Sequence, residues 1–151
     1  MVGLISVLLC ASTLTIVAAS PHTLCPSQGN IVNLEVGGCS DDISRCILKR
    51  GTNVSIEMTF TPGEDVADIE AEAFGLLFQN LLPVPYAIPS PDGCKNSNLK
   101  CPLKKDDEVT YSQSFAVLPF YPQMKLTVNW LLRNPSTGHL LVCANIPVEI
   151  K

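Results

Sequence analysis

Histidine is nearly absent from this chain. His22 and His139 are the only two in 151 residues. His22 lies near the start and His139 beside a turn, and both read as exposed surface rather than as a base. A serine nucleophile needs a partner base and an oxyanion hole, and no G-x-S-x-G elbow occurs. With so few histidines, and cysteine gaps longer than zinc-ligand spacings, no metal site is implied. Charge is sparse as well, at 16% of residues. The ten basic side chains are scattered among fourteen acidic ones, so no basic stripe faces phosphates and nucleic-acid binding is excluded. Lys104-Lys105 is followed at once by Asp106-Asp107-Glu108, which reads as a solvated turn. Asp68, Glu70 and Glu72 alternate with apolar residues, so they share one solvated strand face and form no paired-carboxylate glycosidase site. Beyond the first 19 residues no apolar run is long enough to cross a bilayer. No helix-period pattern is well supported. These absences leave a non-enzymatic domain with no cofactor.

Cysteine, in contrast, is plentiful. Met1 to Ser20 reads as a secretory leader that ends in the small-residue pattern Val17-Ala18-Ala19-Ser20, with cleavage expected near Ala19 or Ser20. Cleavage removes Cys10 and leaves Cys25, Cys39, Cys46, Cys94, Cys101 and Cys143. An even set of thiols fits an oxidising lumen or extracellular fluid. Two pairs are close in sequence and the remaining two lie near the ends, which points to nesting, although six cysteines leave many connectivities open. Asn53-Val54-Ser55 is a glycosylation acceptor that fits the same compartment, whereas proline disqualifies Asn134-Pro135-Ser136. The organisation is a leader over residues 1–20 and one domain over residues 21–151.

Within that domain the period is two. Val54, Ile56, Met58 and Phe60 point one way, and Ser55, Glu57, Thr59 and Thr61 the other. Ile69, Ala71 and Ala73 alternate with acids, while Val109, Tyr111, Gln113, Phe115 and Val117 share a face. Met124, Leu126, Val128, Trp130 and Leu132 form another, and further strands are expected over Ile31–Val36 and Leu140–Ile150. Half-buried strands separated by Gly, Pro and Asn predict an all-β antiparallel sandwich. Asn134-Pro135-Ser136-Thr137-Gly138 supplies a hairpin turn, with Gly138 free to take positive φ.

One segment departs from the alternation. Leu76 to Leu82 is apolar apart from Gln79-Asn80, and Pro83-Val84-Pro85-Tyr86-Ala87-Ile88-Pro89-Ser90-Pro91 follows. So much proline makes a stiff, extended piece confined to an edge, because proline donates nothing to a sheet ladder. It is either a rigid plug for the core or the wall of an apolar cavity. Proline suits such a wall by removing N–H groups that would face hydrocarbon unpaired.

The run Leu82 to Pro91 continuing through Asp92-Gly93-Cys94-Lys95, with Lys100-Cys101-Pro102-Leu103, resembles the Niemann-Pick type C2-like branch of the ML-domain lipid-recognition family. Tyr121-Pro122, Lys125-Leu126-Thr127-Val128-Asn129-Trp130 and Cys143-Ala144-Asn145-Ile146-Pro147-Val148 carry the resemblance across the mature chain. It implies an immunoglobulin-like β-sandwich of two sheets with an apolar cavity between them, and disulfides Cys25–Cys143, Cys39–Cys46 and Cys94–Cys101. It implies a ligand site formed by Leu76, Val84, Pro85 and Tyr86 on one side and Val117, Tyr121 and Trp130 on the other, with Phe120 on the rim. The Tyr86 and Tyr121 hydroxyls are candidates for the headgroup contact. Ala144 stands where the family's sterol carrier has an aromatic, Ala87 replaces a proline, and the Gln79-Asn80 stretch is about two residues longer here. These differences reshape the cavity.

The function this points to is a secreted or lysosomal monomer that carries a sterol, fatty acid or related lipid. Transient contact with a membrane or lipid-transfer protein would deliver the load. A different class remains open at this level: an extracellular recognition or adhesion module whose interior is filled by its own side chains.

Overall fold

The computed structural model describes residues 19–40 and 42–151. The expected leader lies outside the described residues except for Ala19 and Ser20. Ser20 is built into the fold: its N–H donates to Leu34 O at 2.9 Å, and its Oγ accepts from Val36 N at 2.8 Å.

Among the described residues nine strands form two sheets. They are β1 (Thr23–Leu24), β2 (Asn30–Val36), β3 (Cys46–Leu48), β4 (Thr52–Thr61), β5 (Glu70–Leu77), β6 (Leu82–Tyr86), β7 (Val109–Val117), β8 (Lys125–Arg133) and β9 (Leu140–Ile150). One sheet has the order β1-β9-β8-β5-β6, with β3 also on β9; the other has the order β2-β4-β7. All pairings are antiparallel except β3 with β9, which run parallel. Thus the free edge of β9 is covered in two steps, by β1 at Ala144–Asn145 and by β3 at Val148–Ile150.

The alternation of the sequence becomes the inside and outside of the sandwich. On β4, Val54, Ile56, Met58 and Phe60 are buried while Ser55 and Glu57 are exposed. Facing them across the core are Trp130, Leu132, Val142, Ala144, Ile146 and Val148. The proline segment forms β6, the outermost strand of its sheet. Pro83 and Pro85 pair with Leu76 and Phe74 of β5, and the edge position means that the missing proline donors leave no ladder partner unsatisfied.

The disulfides are Cys25–Cys143, Cys39–Cys46 and Cys94–Cys101, the nested arrangement that the resemblance implies. Gly138 has φ +77° in the β8–β9 turn, where its N–H donates to Asn134 O at 2.8 Å. Two expectations are refined. The third long strand begins at Glu70 and runs to Leu77 rather than spanning Ala67 to Ala73. Its outer half has partly buried residues on both faces, which hides the period. The two- and three-residue strands β1 and β3 are too short to show a period at all.

Candidate functional site: an apolar cavity between the sheets

A cavity of about 90 Å³ lies between the sheets. Its wall on the larger sheet comes from Ala73 and Gly75 of β5, Tyr86 of β6, Leu126, Val128 and Trp130 of β8, and Val148 and Ile150 of β9. Phe115 and Val117 of β7 close the other side, with Leu48 and Tyr121 near the outer end. None of the lining side chains is charged, and tyrosine hydroxyls and the tryptophan N–H are their only polar groups. Such a lining favours hydrocarbon over water.

The register explains why there is space. Trp130 is paired with Ala73 on one neighbouring strand and with Ala144 on the other. The indole therefore has room between two methyl groups. Gly75 sits opposite Val128 and Val84; a Cβ there would stand 3.1 Å from Leu126 Cδ1. Omitting that carbon keeps the outer half of the cavity from being plugged.

Aromatic rings form one side. Tyr86 meets Phe115 edge-on at 6.1 Å, and Phe115 lies 5.7 Å from Trp130. The Tyr86 hydroxyl donates to Ala116 O over 3.4 Å. Burial raises its pKa above the ordinary 10.0, the nearby Tyr121 adds to the rise, and the Ala116 bond opposes it. The group is a neutral donor at physiological pH.

Of the residues the sequence singles out, Tyr86, Val117, Tyr121 and Trp130 are brought together on the wall. Val84 is 43% exposed and Pro85 is exposed too, both on the outermost strand. Leu76 falls on the opposite face from Gly75 by strand alternation. Phe120 projects from the β7–β8 loop, stacked edge-on against Tyr121 at 5.6 Å. Asn53 is exposed near the start of β4. Phe115, Leu126 and Val128 also line the cavity; they lie on the same alternating faces as Val117 and Trp130, which is the signal by which a sequence could reveal them. Leu48 carried no such signal, because β3 is so short. Among the described residues no cluster of three or more His, Cys, Asp or Glu is placed to hold a metal.

The outer end of the cavity is also chemically distinct. The β5–β6 hairpin and the β7–β8 loop lie at this end. They expose Phe78 at 70%, Leu81 at 82% and Phe120 at 77%. Basic residues that are scattered in sequence gather there. Arg45 Nη1 is 3.4 Å from Leu126 O, Arg50 Nη1 is 3.5 Å from Tyr121 O, Lys125 lies opposite Glu149 in the strand register, and Lys151 Nζ is 3.7 Å from Glu149 Oε1. Lys49 adjoins Arg50, whose N–H donates to Lys151 O at 2.8 Å. These five are half of the ten basic residues in the chain.

The ML-domain family profile matches residues 19–150. The chain belongs to the ML-domain family. This ML-domain chain is 32% identical over 147 residues to the NPC intracellular cholesterol transporter 2 homolog a of Drosophila melanogaster, covering 97% of each protein. It is 37% identical over 122 residues to NPC intracellular cholesterol transporter 2 of Mus musculus, covering 81% of this chain and 78% of that one. Among solved structures, a Niemann-Pick type C2 protein from the Japanese carpenter ant superposes with a TM-score of 0.80 at 34% identity, covering 85% of this chain and 98% of that one.

Proposed function

We propose that this ML-domain chain is a non-enzymatic carrier that holds one hydrophobic small molecule, a sterol, fatty acid or related lipid, between its sheets. The observation that carries this reading is the uncharged, largely aromatic and aliphatic cavity in a domain core. It disfavours a scaffold whose interior is filled by its own side chains. No lining residue is an acid or base suited to covalent chemistry. A chain of about sixteen carbons gains ~10 kcal/mol on leaving water at ~0.8 kcal/mol per CH₂. Association and ordering costs offset part of this, which leaves micromolar to nanomolar affinity. The relatives named for cholesterol transport support the ligand class.

The test is organic extraction of protein purified from its native fluid, followed by mass spectrometry. A stoichiometric lipid is expected. No lipid, together with no displacement of a fluorescent sterol or fatty-acid probe, would sink the reading.

The carrier works as a monomer in an oxidising secretory, extracellular or lysosomal compartment, consistent with its three disulfides. A leader cleaved on the Ala19 side of Ser20 preserves the Ser20 bonds to Leu34 and Val36. Asn53 carries an N-glycan, and its exposed strand position leaves room for one. For delivery, the apolar tips at Phe78, Leu81 and Phe120 enter a bilayer while Arg45, Lys49, Arg50, Lys125 and Lys151 face its anionic headgroups. Transfer between vesicles is therefore faster with anionic than with zwitterionic lipid and slows with salt. Equal rates on both would point to a protein acceptor instead.

A further inference from the structure

Glycine inside a strand needs a reason, because it costs stability relative to alanine and gives the sheet no side chain to pack. Gly75 stands well inside β5, and the ordinary reasons fail there. It does not supply a backbone conformation closed to other residues: the described glycines with positive φ are Gly38, Gly51 and Gly138. It does not mark a bulge, since β5 pairs without a register shift with β8 from Glu70 to Leu76 and with β6 from Ala73 to Leu77. It does not let another backbone come close. At Gly29 and Gly63 a Cβ would run into the carbonyls of Leu141 and Gln28, whereas at Gly75 a Cβ would stand 4.0 Å from the nearest backbone atom of another strand, Val84 O. Nor is it a hinge. Pro83 and Pro85, on either side of Val84, pair with Leu76 and Phe74, and this stiff segment holds the strand where it could otherwise bend.

The reason that remains is close approach of a ligand. Along the inner face of β5, Ala71 and Ala73 are buried and Gly75 is half-buried. The side chains thus shrink toward the outer end. Ala73 and Gly75 line the cavity, with Phe115 and Val117 across it on β7. A Cβ on Gly75 would project into this space and crowd another lining residue, Leu126, whose Cδ1 is 3.1 Å from that point. Bare backbone at Gly75 therefore gives the outer half of the cavity a flat floor, one methyl group deeper than alanine would leave it.

We infer that Gly75 sets the width of ligand that the cavity accepts: a lipid lies against its bare backbone, and broad, ring-bearing lipids depend on that contact more than single-chain lipids do. This rests on the carrier reading and adds the residue that selects among its ligand classes. A fused-ring system is flat and rigid, so it cannot fold round an added methyl group. A single acyl chain is slimmer and turns about its own bonds to avoid one.

The test compares Gly75→Ala with wild-type protein in binding a fluorescent sterol and a fluorescent fatty acid. Because one carbon in an apolar pocket is worth roughly 10–200-fold, sterol affinity is expected to fall roughly tenfold or more and fatty-acid affinity to change less than about threefold. A purely structural role would weaken both alike and lower the melting temperature with them. In wild-type protein, nitrogen-15 NMR follows the Gly75 amide with no substitution at all, and its signal is expected to move on saturation with the sterol. Equal losses for the two ligands, no loss for the sterol, an unmoved Gly75 amide, or a wild type that takes the fatty acid and not the sterol overturns the inference and leaves the carrier reading standing. Failure of wild type to bind either probe overturns the carrier reading itself.

Discussion

Val117→Phe probes the cavity most directly. Val117 is 3% exposed, lines the cavity beside Phe115 and Tyr121, and sits at the end of β7. A phenyl ring there takes space that a bound chain would otherwise fill. If it displaces about three methylenes from the wall, the ligand loses ~2.4 kcal/mol at ~0.8 kcal/mol each. That is roughly a fiftyfold weakening, since ~1.4 kcal/mol is tenfold. Overpacking costs the fold ~1–3 kcal/mol, within the ~5–15 kcal/mol of an ordinary domain. The variant is therefore expected to fold, melt a few degrees lower, and bind poorly. Displacement of a fluorescent sterol or fatty-acid probe measures the affinity, and circular dichroism checks the fold. Ser114→Phe is the control, because Ser114 is exposed on the same strand with its side chain on the outer face. Wild-type affinity in folded Val117→Phe protein would refute the wall assignment, and equal weakening by Ser114→Phe would show that the effect does not come from the cavity.

Three further outcomes are expected. Replacing Cys25 and Cys143 by serine opens a crosslink between residues 118 apart, worth ~5 kcal/mol by loop entropy; an unchanged denaturant midpoint would contradict this. His139, chiefly, and then Asn134 bond to Glu64 and hold its carboxyl below the ordinary 4.5. A lowered carboxyl pKa lends stability that is present above the unfolded value and lost as pH falls through the folded one, so melting curves should weaken below about pH 4.5 and Glu64→Gln should flatten that decline. Phe78, Gln79 and Asn80 all have positive φ, at 51°, 57° and 69°, so Gln79→Gly is expected to raise stability by ~0.5 kcal/mol as relief of backbone strain outweighs the added chain entropy; a urea titration reads the sign.

The long strands were legible because each has one wet and one dry face. The alternation of Val54 to Phe60 and of Leu126 to Leu132 is the physical cause of the sandwich and its sequence signature at once. The proline segment could be placed at an edge from hydrogen-bond chemistry alone. β1 and β3 could not be read, since their pairing to β9 depends on contacts distant in sequence. The same holds for the site. Trp130 and Val117 lie on readable faces, but the space exists because Ala73 and Ala144 flank Trp130 from separate strands and Gly75 lacks a side chain opposite Val128. The basic collar was invisible for a similar reason: Arg45, Lys125 and Lys151 converge only when β3, β8 and β9 lie side by side.

The crosslinks are unevenly distributed, and this has a mechanical consequence. Along β9 the sandwich is riveted by Cys25–Cys143, by Cys39–Cys46 at the head of β3, and by two flanking strands. On the opposite margin Cys94–Cys101 secures only the stretch beyond β6. Between β6 and β7 the side-chain hydrogen bonding among the described residues is a single 3.4 Å bond, from Tyr86 to Ala116. The β9 margin is therefore the stiffer side of the sandwich, and the β6–β7 margin, which side-chain hydrogen bonds hold least, is the side where local opening costs least.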